Sequence, residues 1–79
     1  MMKLNVLNMK NFLGIINESI GEVNMLCPDG KKVNISRQYT IQNELQEEYT
    51  KNKNHLRLIL DIPNPKDYMS MVFYYAWDC

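Results

Sequence analysis

The sequence predicts a small α+β domain in which three helices pack on one face of a three-stranded sheet, in the order αββαβα. Three observations lead to this fold class. Apolar residues recur at helical spacing near the start, the period changes to two around a Pro-Asp-Gly turn, and a strongly alternating segment precedes an aromatic helix. No repeat or linker divides the 79 residues, so residues 1–79 are expected to form a single domain.

The first helix is predicted from five apolar residues on one helical stripe: Met9, Phe12, Leu13, Ile16 and Ile20. Asn8 precedes the stripe and is suited to cap the helix, because its side chain can accept a hydrogen bond from a free backbone N–H. Gly21 follows the stripe and is expected to end the helix in the left-handed conformation.

A β-hairpin follows, because the segments EVNMLC and KVNI both alternate and flank the turn sequence PDGK. Pro28 presets its own backbone angle, and Gly30 can supply a positive φ without steric cost. One side of the hairpin is expected to carry Val23, Met25 and Cys27, with Val33 and Ile35 also facing inward.

A second helix is predicted from an N-cap at Ser36 to about Thr50, with a narrow apolar stripe of Ile41, Leu45 and Tyr49. The third strand is HLRLILDI, which should place Leu56, Leu58, Leu60 and Ile62 on its buried face. The helical crossover is expected to run this strand parallel to the second hairpin strand, with the strand order and a mixed or antiparallel sheet left open.

The last helix is expected to begin at Pro65, with Asn64 as its cap and Asp67 in its first turn, and to reach about Trp77. At 100° per residue its apolar side chains cover roughly 240° of the circumference, whereas a helix on a sheet needs little more than 100°. Its polar strip contains only Ser70, Tyr74 and Asp78. Packing on one small sheet therefore cannot cover the helix.

Three explanations of this excess remain open. Neighbouring helices can wrap the aromatic side chains, or the helix can form a protein interface, most simply a symmetric homodimer. The third explanation is an aromatic-lined pocket for a ligand or a stacked base. The candidate interface residues are Met71, Phe73, Tyr75 and Trp77.

Composition restricts the classes of function. With 46% hydrophobic and 23% charged residues the composition is ordinary for a soluble globular protein, and no apolar run approaches the length of a membrane span. Asn5, Asn8 and Asn11 interrupt any signal-peptide core. We therefore expect a cytoplasmic setting, in which Cys27 and Cys79 are free thiols, with a disulfide between them as the less favoured alternative.

Residue types that commonly act in catalysis or metal binding are few and lie far apart in the sequence. The chain has one histidine, His55, and two cysteines, which is too few for a zinc site at characteristic spacing, and it has no phosphate-binding glycine loop. Three glutamates on the second helix are typical of a solvated face. We expect no catalytic residue, no metal and no cofactor, and hence no enzyme.

Basic residues supply the alternative function. Lys31, Lys32 and Arg37 cluster around the hairpin turn and the following helix start, where they are candidates for phosphate contacts of an accessory nucleic-acid-binding domain. The formal net charge is zero, whereas nucleic-acid-binding domains usually have a net basic footprint. The pattern therefore ranks this alternative behind a protein interface.

Two segments, NMKNFLGIINESIGEVNMLCPDGKKVNI and LRLILDIPNP, carry a resemblance to a known group. The chain resembles a family of short uncharacterised bacterial proteins, some of them automatically labelled poly(A) polymerase. A nucleotidyltransferase needs a Gly-Ser pair and paired carboxylates, which this sequence lacks. The resemblance therefore implies a fold and a bacterial cytosolic setting, and it implies no functional residues.

The sequence as a whole favours a non-enzymatic interaction or regulatory module, self-associating through its aromatic last helix. No membrane is expected among its partners, and a nucleic acid is expected only under the alternative hypothesis.

Overall fold

The computed structural model describes the backbone of residues 1–78 and the side chains of residues 1–75. Residues 1–78 form three helices and one four-stranded antiparallel sheet. In chain order the elements are β1 (Met2–Val6), α1 (Met9–Asn17), β2 (Asn24–Leu26), β3 (Lys32–Asn34), α2 (Tyr39–Lys51), β4 (Leu56–Asp61) and α3 (Pro65–Asp78). The α+β class agrees with the prediction from sequence.

The predicted order αββαβα with three strands is wrong, because β1 was not anticipated. The observed order is βαββαβα. β1 pairs with β4 along its whole length, with Leu4 opposite Leu58 and Val6 opposite Leu56. β1 has only five residues, and its interstrand hydrogen bonds come from this distant partner. The local sequence pattern alone therefore did not predict it as a strand.

The sheet has the order β1-β4-β2-β3, and every neighbouring pair is antiparallel. β4 is therefore a central strand, paired with β1 on one side and, at Leu60 and Asp61, with β2 on the other. Because β2 is antiparallel to both neighbours, β4 runs in the same direction as β3, as the crossover argument predicted. The open question of strand order is thereby answered.

The core lies on one face of the sheet. Alternate residues of β1 and β4 point into it, and buried side chains from all three helices join the same cluster. Its members are Leu4, Val6, Met9, Phe12, Leu13, Ile16, Val23, Ile35, Leu45, Leu58, Leu60, Ile62, Met71 and Tyr74. The residues between them in β1 and β4 project from the opposite face of the sheet, where Lys3 and Arg57 are exposed and Asn5 and Ile59 are half-buried.

The start of α1 is as predicted, because the Asn8 side chain accepts a hydrogen bond from the Asn11 backbone N–H at 3.2 Å. The end is different. The helix stops at Asn17, so Ile20 lies beyond it and is exposed, and Gly21 does not cap it. The loop is instead held by Ser19, whose hydroxyl lies within hydrogen-bonding distance of the carbonyl oxygens of Ile16 and Gly21 and can donate to either.

The hairpin is confirmed, with Met25 opposite Val33 and Gly30 at a φ of +88°. α2 begins later than predicted, at Tyr39 after Gln38, and Ser36 is not its cap. Ser36 is buried and donates its hydroxyl to the Asn34 side-chain oxygen at 2.9 Å. Cys27 is a free cysteine, and Cys79 lies outside the described residues.

α3 begins as the sequence predicts. Asn64 Oδ1 accepts from the backbone N–H groups of Lys66 and Asp67, at 2.9 and 3.2 Å. No helix within residues 1–78 is both long and apolar enough to cross a membrane.

Candidate functional site

The aromatic helix α3 buries a side that includes Tyr74, one residue of the predicted polar strip, whereas Ser70 of that strip is exposed. Asp67, Met71 and Tyr74 follow one another at spacings of four and three residues, and all three are buried. Tyr74, which the sequence placed on the polar strip, is only 5% exposed. A phenol can serve both purposes, because its ring is apolar and its hydroxyl needs only one acceptor.

Two contacts hold this buried side. The Tyr74 ring lies 6.1 Å from the Phe12 ring, centroid to centroid, and its hydroxyl donates to the Asn8 carbonyl oxygen at 3.1 Å. At the other end, the Asp67 carboxylate accepts from the backbone N–H groups of Ile20 and Gly21, both at 2.8 Å. These bonds fix the rotation of α3 about its axis.

This rotation directs the remaining large side chains of the helix outward. We call them the outer face of α3: Tyr68, Met69, Val72, Phe73 and Tyr75, with exposures between 37% and 60%. Lys66 is the only exposed charged side chain of α3 within residues 65–75. Phe73 is the most exposed of the five, at 60%, whereas Tyr68, Val72 and Tyr75 are more than half covered within the chain.

Three of the four candidate interface residues have described side chains, and these three lie in two environments. Phe73 and Tyr75 lie on the outer face of α3, at 60% and 38% exposure. Met71 is 1% exposed and belongs to the core, so within one subunit it is not available to a partner. Trp77 lies outside the residues whose side chains are described. The predicted apolar arc of this helix included Tyr68, Met69 and Val72, but these three were not named as interface candidates. Helical spacing alone cannot tell which side of a broadly apolar helix is buried.

The three candidate nucleic-acid residues are not equivalent. Lys32 forms a salt bridge with Asp61, in which Nζ lies 2.9 Å from a carboxylate oxygen. Arg37 Nη1 donates to the Ser19 carbonyl oxygen at 2.8 Å, next to the end of α1. Lys31 is exposed and makes no side-chain contact of this kind within the described part of the chain.

Arg37 has a structural explanation. Its φ is +57°, and its backbone N–H donates to the Asn17 side-chain oxygen at 2.8 Å. Its guanidinium lies beside the last carbonyl groups of α1, where a cation is favoured by the helix dipole. The residue thus ties the start of α2 to the end of α1.

Buried polar side chains are used in internal hydrogen bonds. Gln42 Nε2 donates to the Asn17 side-chain oxygen at 2.7 Å and to the Ile35 carbonyl oxygen at 2.8 Å. Within the residues that were searched, no group of three or more His, Cys, Asp or Glu side chains is placed to hold a metal ion.

Comparisons of the chain with protein-family models, with curated proteins and with solved structures find no match.

Proposed function

We propose that the protein is a non-enzymatic interaction module that pairs with a second copy of itself through the outer face of α3. The observation that supports this most strongly is the 60% exposure of Phe73 on a helix face with no charged residue from Tyr68 to Tyr75. Aromatic and Met side chains are enriched in protein interfaces, and charged residues are depleted from their centres.

The size of the face fits an interface of modest affinity. Taking about 200 Å² for each large side chain when fully exposed, the five residues present roughly 450 Å² of surface. The largest apolar patch on a typical monomer is about 300–600 Å² and is often functional. A standard interface covers about 800 Å² on each partner, so side chains around the face would have to contribute the other half.

Charge argues for a second copy as the occupant. The formal net charge of the chain is zero, so two copies approach without long-range repulsion. A twofold axis brings the same patch of each copy together, and an apolar helix face is complementary to itself. An antiparallel arrangement of the two α3 helices also sets the positive end of one helix dipole beside the negative end of the other.

The proposal of binding without catalysis is supported by how the polar residues are used. Asp67 and Gln42, both buried, are committed to hydrogen bonds that join helices and loops. A general acid or base needs a free position next to the reacting group.

Nucleic-acid binding through Lys31, Lys32 and Arg37 remains the second hypothesis, with weaker support. Two of the three cations have intramolecular partners, so a phosphate would have to compete with Asp61 and with the carbonyl groups at the end of α1. The formal net charge of zero does not support this hypothesis either, because nucleic-acid-binding domains usually carry a net positive charge.

Sedimentation equilibrium of the wild type, F73Q and Y39Q across the micromolar range tests the proposal. Tyr39 is the matched control, since it is 66% exposed but lies on α2. We expect the wild type and Y39Q to move with concentration from 9.4 kDa toward twice that mass, and F73Q to remain near 9.4 kDa. Equal association of all three proteins would contradict an interface at α3.

A further inference from the structure

A second feature lies on the outer face of the sheet, away from the core. Here a groove of ≈ 400 Å³ runs over β1 and β4, and its lining includes Lys3, Asn5, Arg57, Ile59 and Tyr75. Small-molecule sites usually occupy about 300–1,000 Å³, so this groove is large enough for one small ligand.

Strand register explains why these residues meet. Lys3 is paired with Ile59, and Asn5 with Arg57. Because Leu4 and Leu58 between them point into the core, all four neighbours project from the opposite face. Lys3 and Arg57 are diagonal neighbours on this face, a relationship that separates side-chain origins by about 7–8 Å.

Two cations, Lys3 and Arg57, border the groove, whose exposed lining is otherwise largely apolar. Lys3 and Arg57 are exposed and form no salt bridge within the described residues, and the groove lining contains no carboxylate. Asp61 is the acidic residue of β4 on the same face, and it is already paired with Lys32 at 2.9 Å. An anion is therefore the favoured ligand by charge complementarity.

Asn5 adds a polar group with unused hydrogen-bonding capacity. Among the described side chains, its Oδ1 is the buried polar atom that has no hydrogen-bond partner. A buried acceptor without a donor destabilises a folded protein, so Asn5 gains a bond if its amide turns to meet a donor on a ligand. Tyr75 contributes an aromatic ring to the lining of the same groove.

We propose that this groove binds a small planar anion of the nucleotide type. Its phosphate would contact Lys3 and Arg57, its ring would lie against Tyr75, and a ring or exocyclic N–H would donate to Asn5. The arrangement combines cations for the phosphate, an aromatic surface for the ring and an amide for the ring edge. Tyr75 belongs both to this groove and to the outer face of α3, so the test uses variants outside α3.

The test follows backbone amide shifts by NMR during titration of the full chain with adenosine and uridine monophosphate. We expect saturable shifts at residues 3–5 and 57–59, and R57Q should weaken binding about tenfold or more. K31Q, which removes an exposed cation outside the groove, should bind as the wild type does.

Two further probes separate the contributions. Adenosine without phosphate should bind at least about tenfold more weakly than the monophosphate, and inorganic phosphate alone should also be weaker. A tetranucleotide distinguishes the source: a gain of about tenfold or more assigns the ligand to a single strand, and no gain assigns it to free nucleotide. The absence of saturable shifts at these residues, or equal weakening by R57Q and K31Q, would overturn the proposal.

Discussion

The Tyr74 hydroxyl donates a hydrogen bond to the Asn8 carbonyl oxygen across 3.1 Å, which joins the last helix to the residue that caps the first. This contact directs the side of α3 that carries Tyr74 toward the core. As a consequence, Phe73, the next residue back along the chain, points to the surface. The orientation of α3, on which the proposed function depends, is thus set by a polar contact of an aromatic residue.

Two substitutions at Tyr74 separate its hydroxyl from its ring. Tyr74→Phe removes one hydrogen bond and should lower the free energy of unfolding by about 0.5–1.5 kcal/mol. Tyr74→Ala also removes the ring that packs on Phe12 and should cost about 3–5 kcal/mol. Urea unfolding measures both, with Tyr75→Phe on the exposed side as the control. A loss at Tyr75→Phe as large as at Tyr74→Phe would contradict the assigned orientation.

Asp67 should be the most costly carboxylate to neutralise. Asp67→Asn keeps the shape of the side chain but replaces one of its two acceptor oxygens by a donor, which then faces the N–H of Ile20 or Gly21. We expect a loss of about 2–4 kcal/mol of unfolding free energy. Asp29→Asn is the matched control, because Asp29 accepts one backbone hydrogen bond in an exposed turn. A smaller effect at Asp67 than at Asp29 would refute this role.

Gln42 joins α2 to the end of α1 and to the residue after β3. Gln42→Leu keeps a similar volume but removes its bonds with Asn17 and the Ile35 carbonyl group. The expected loss is about 2–3 kcal/mol, since buried polar groups are left without partners. Gln46→Leu, at an exposed position on the same helix, should change stability by less than about 0.5 kcal/mol. Thermal and urea unfolding of the two variants provide the comparison.

Two glycines should respond to alanine with opposite signs. Gly14 lies inside α1 with open space around the position of a Cβ atom, so Gly14→Ala should stabilise by about 0.5–1 kcal/mol. Gly30 has a φ of +88° in the hairpin turn, so Gly30→Ala should destabilise by about 1–2 kcal/mol. Equal signs in an unfolding measurement would show that one of these two backbone assignments is incorrect.

Local signals were sufficient where a residue acts on its own segment. Asn8 and Asn64 cap their helices, and Gly30 supplies the turn of the hairpin, because each of these roles depends on neighbouring backbone groups. The alternation of β4 was also readable, since it is a central strand with one face in the core.

Non-local partners account for what the sequence did not reveal. β1 alternates as Met2, Leu4 and Val6, a signal that was present but short, and its stability depends on pairing with β4 more than fifty residues later. Ser36 was predicted to cap α2 because it precedes a helical segment, but its hydroxyl donates to the Asn34 side-chain oxygen instead. The candidate site depended on which side of α3 is buried, and that is decided by the contacts of Tyr74 and Asp67 with α1 and its following loop.

Self-association through α3 is tested most directly by a search for contacts between two copies, made on an equal mixture of ¹³C-labelled and unlabelled chains by isotope-filtered NOE spectroscopy. We expect intermolecular contacts from the Phe73 ring to the outer face of α3 in the other copy. A dimer whose contacts involve other surfaces, such as that around Tyr39, or a chain that shows no intermolecular contacts at high micromolar concentration, would contradict it.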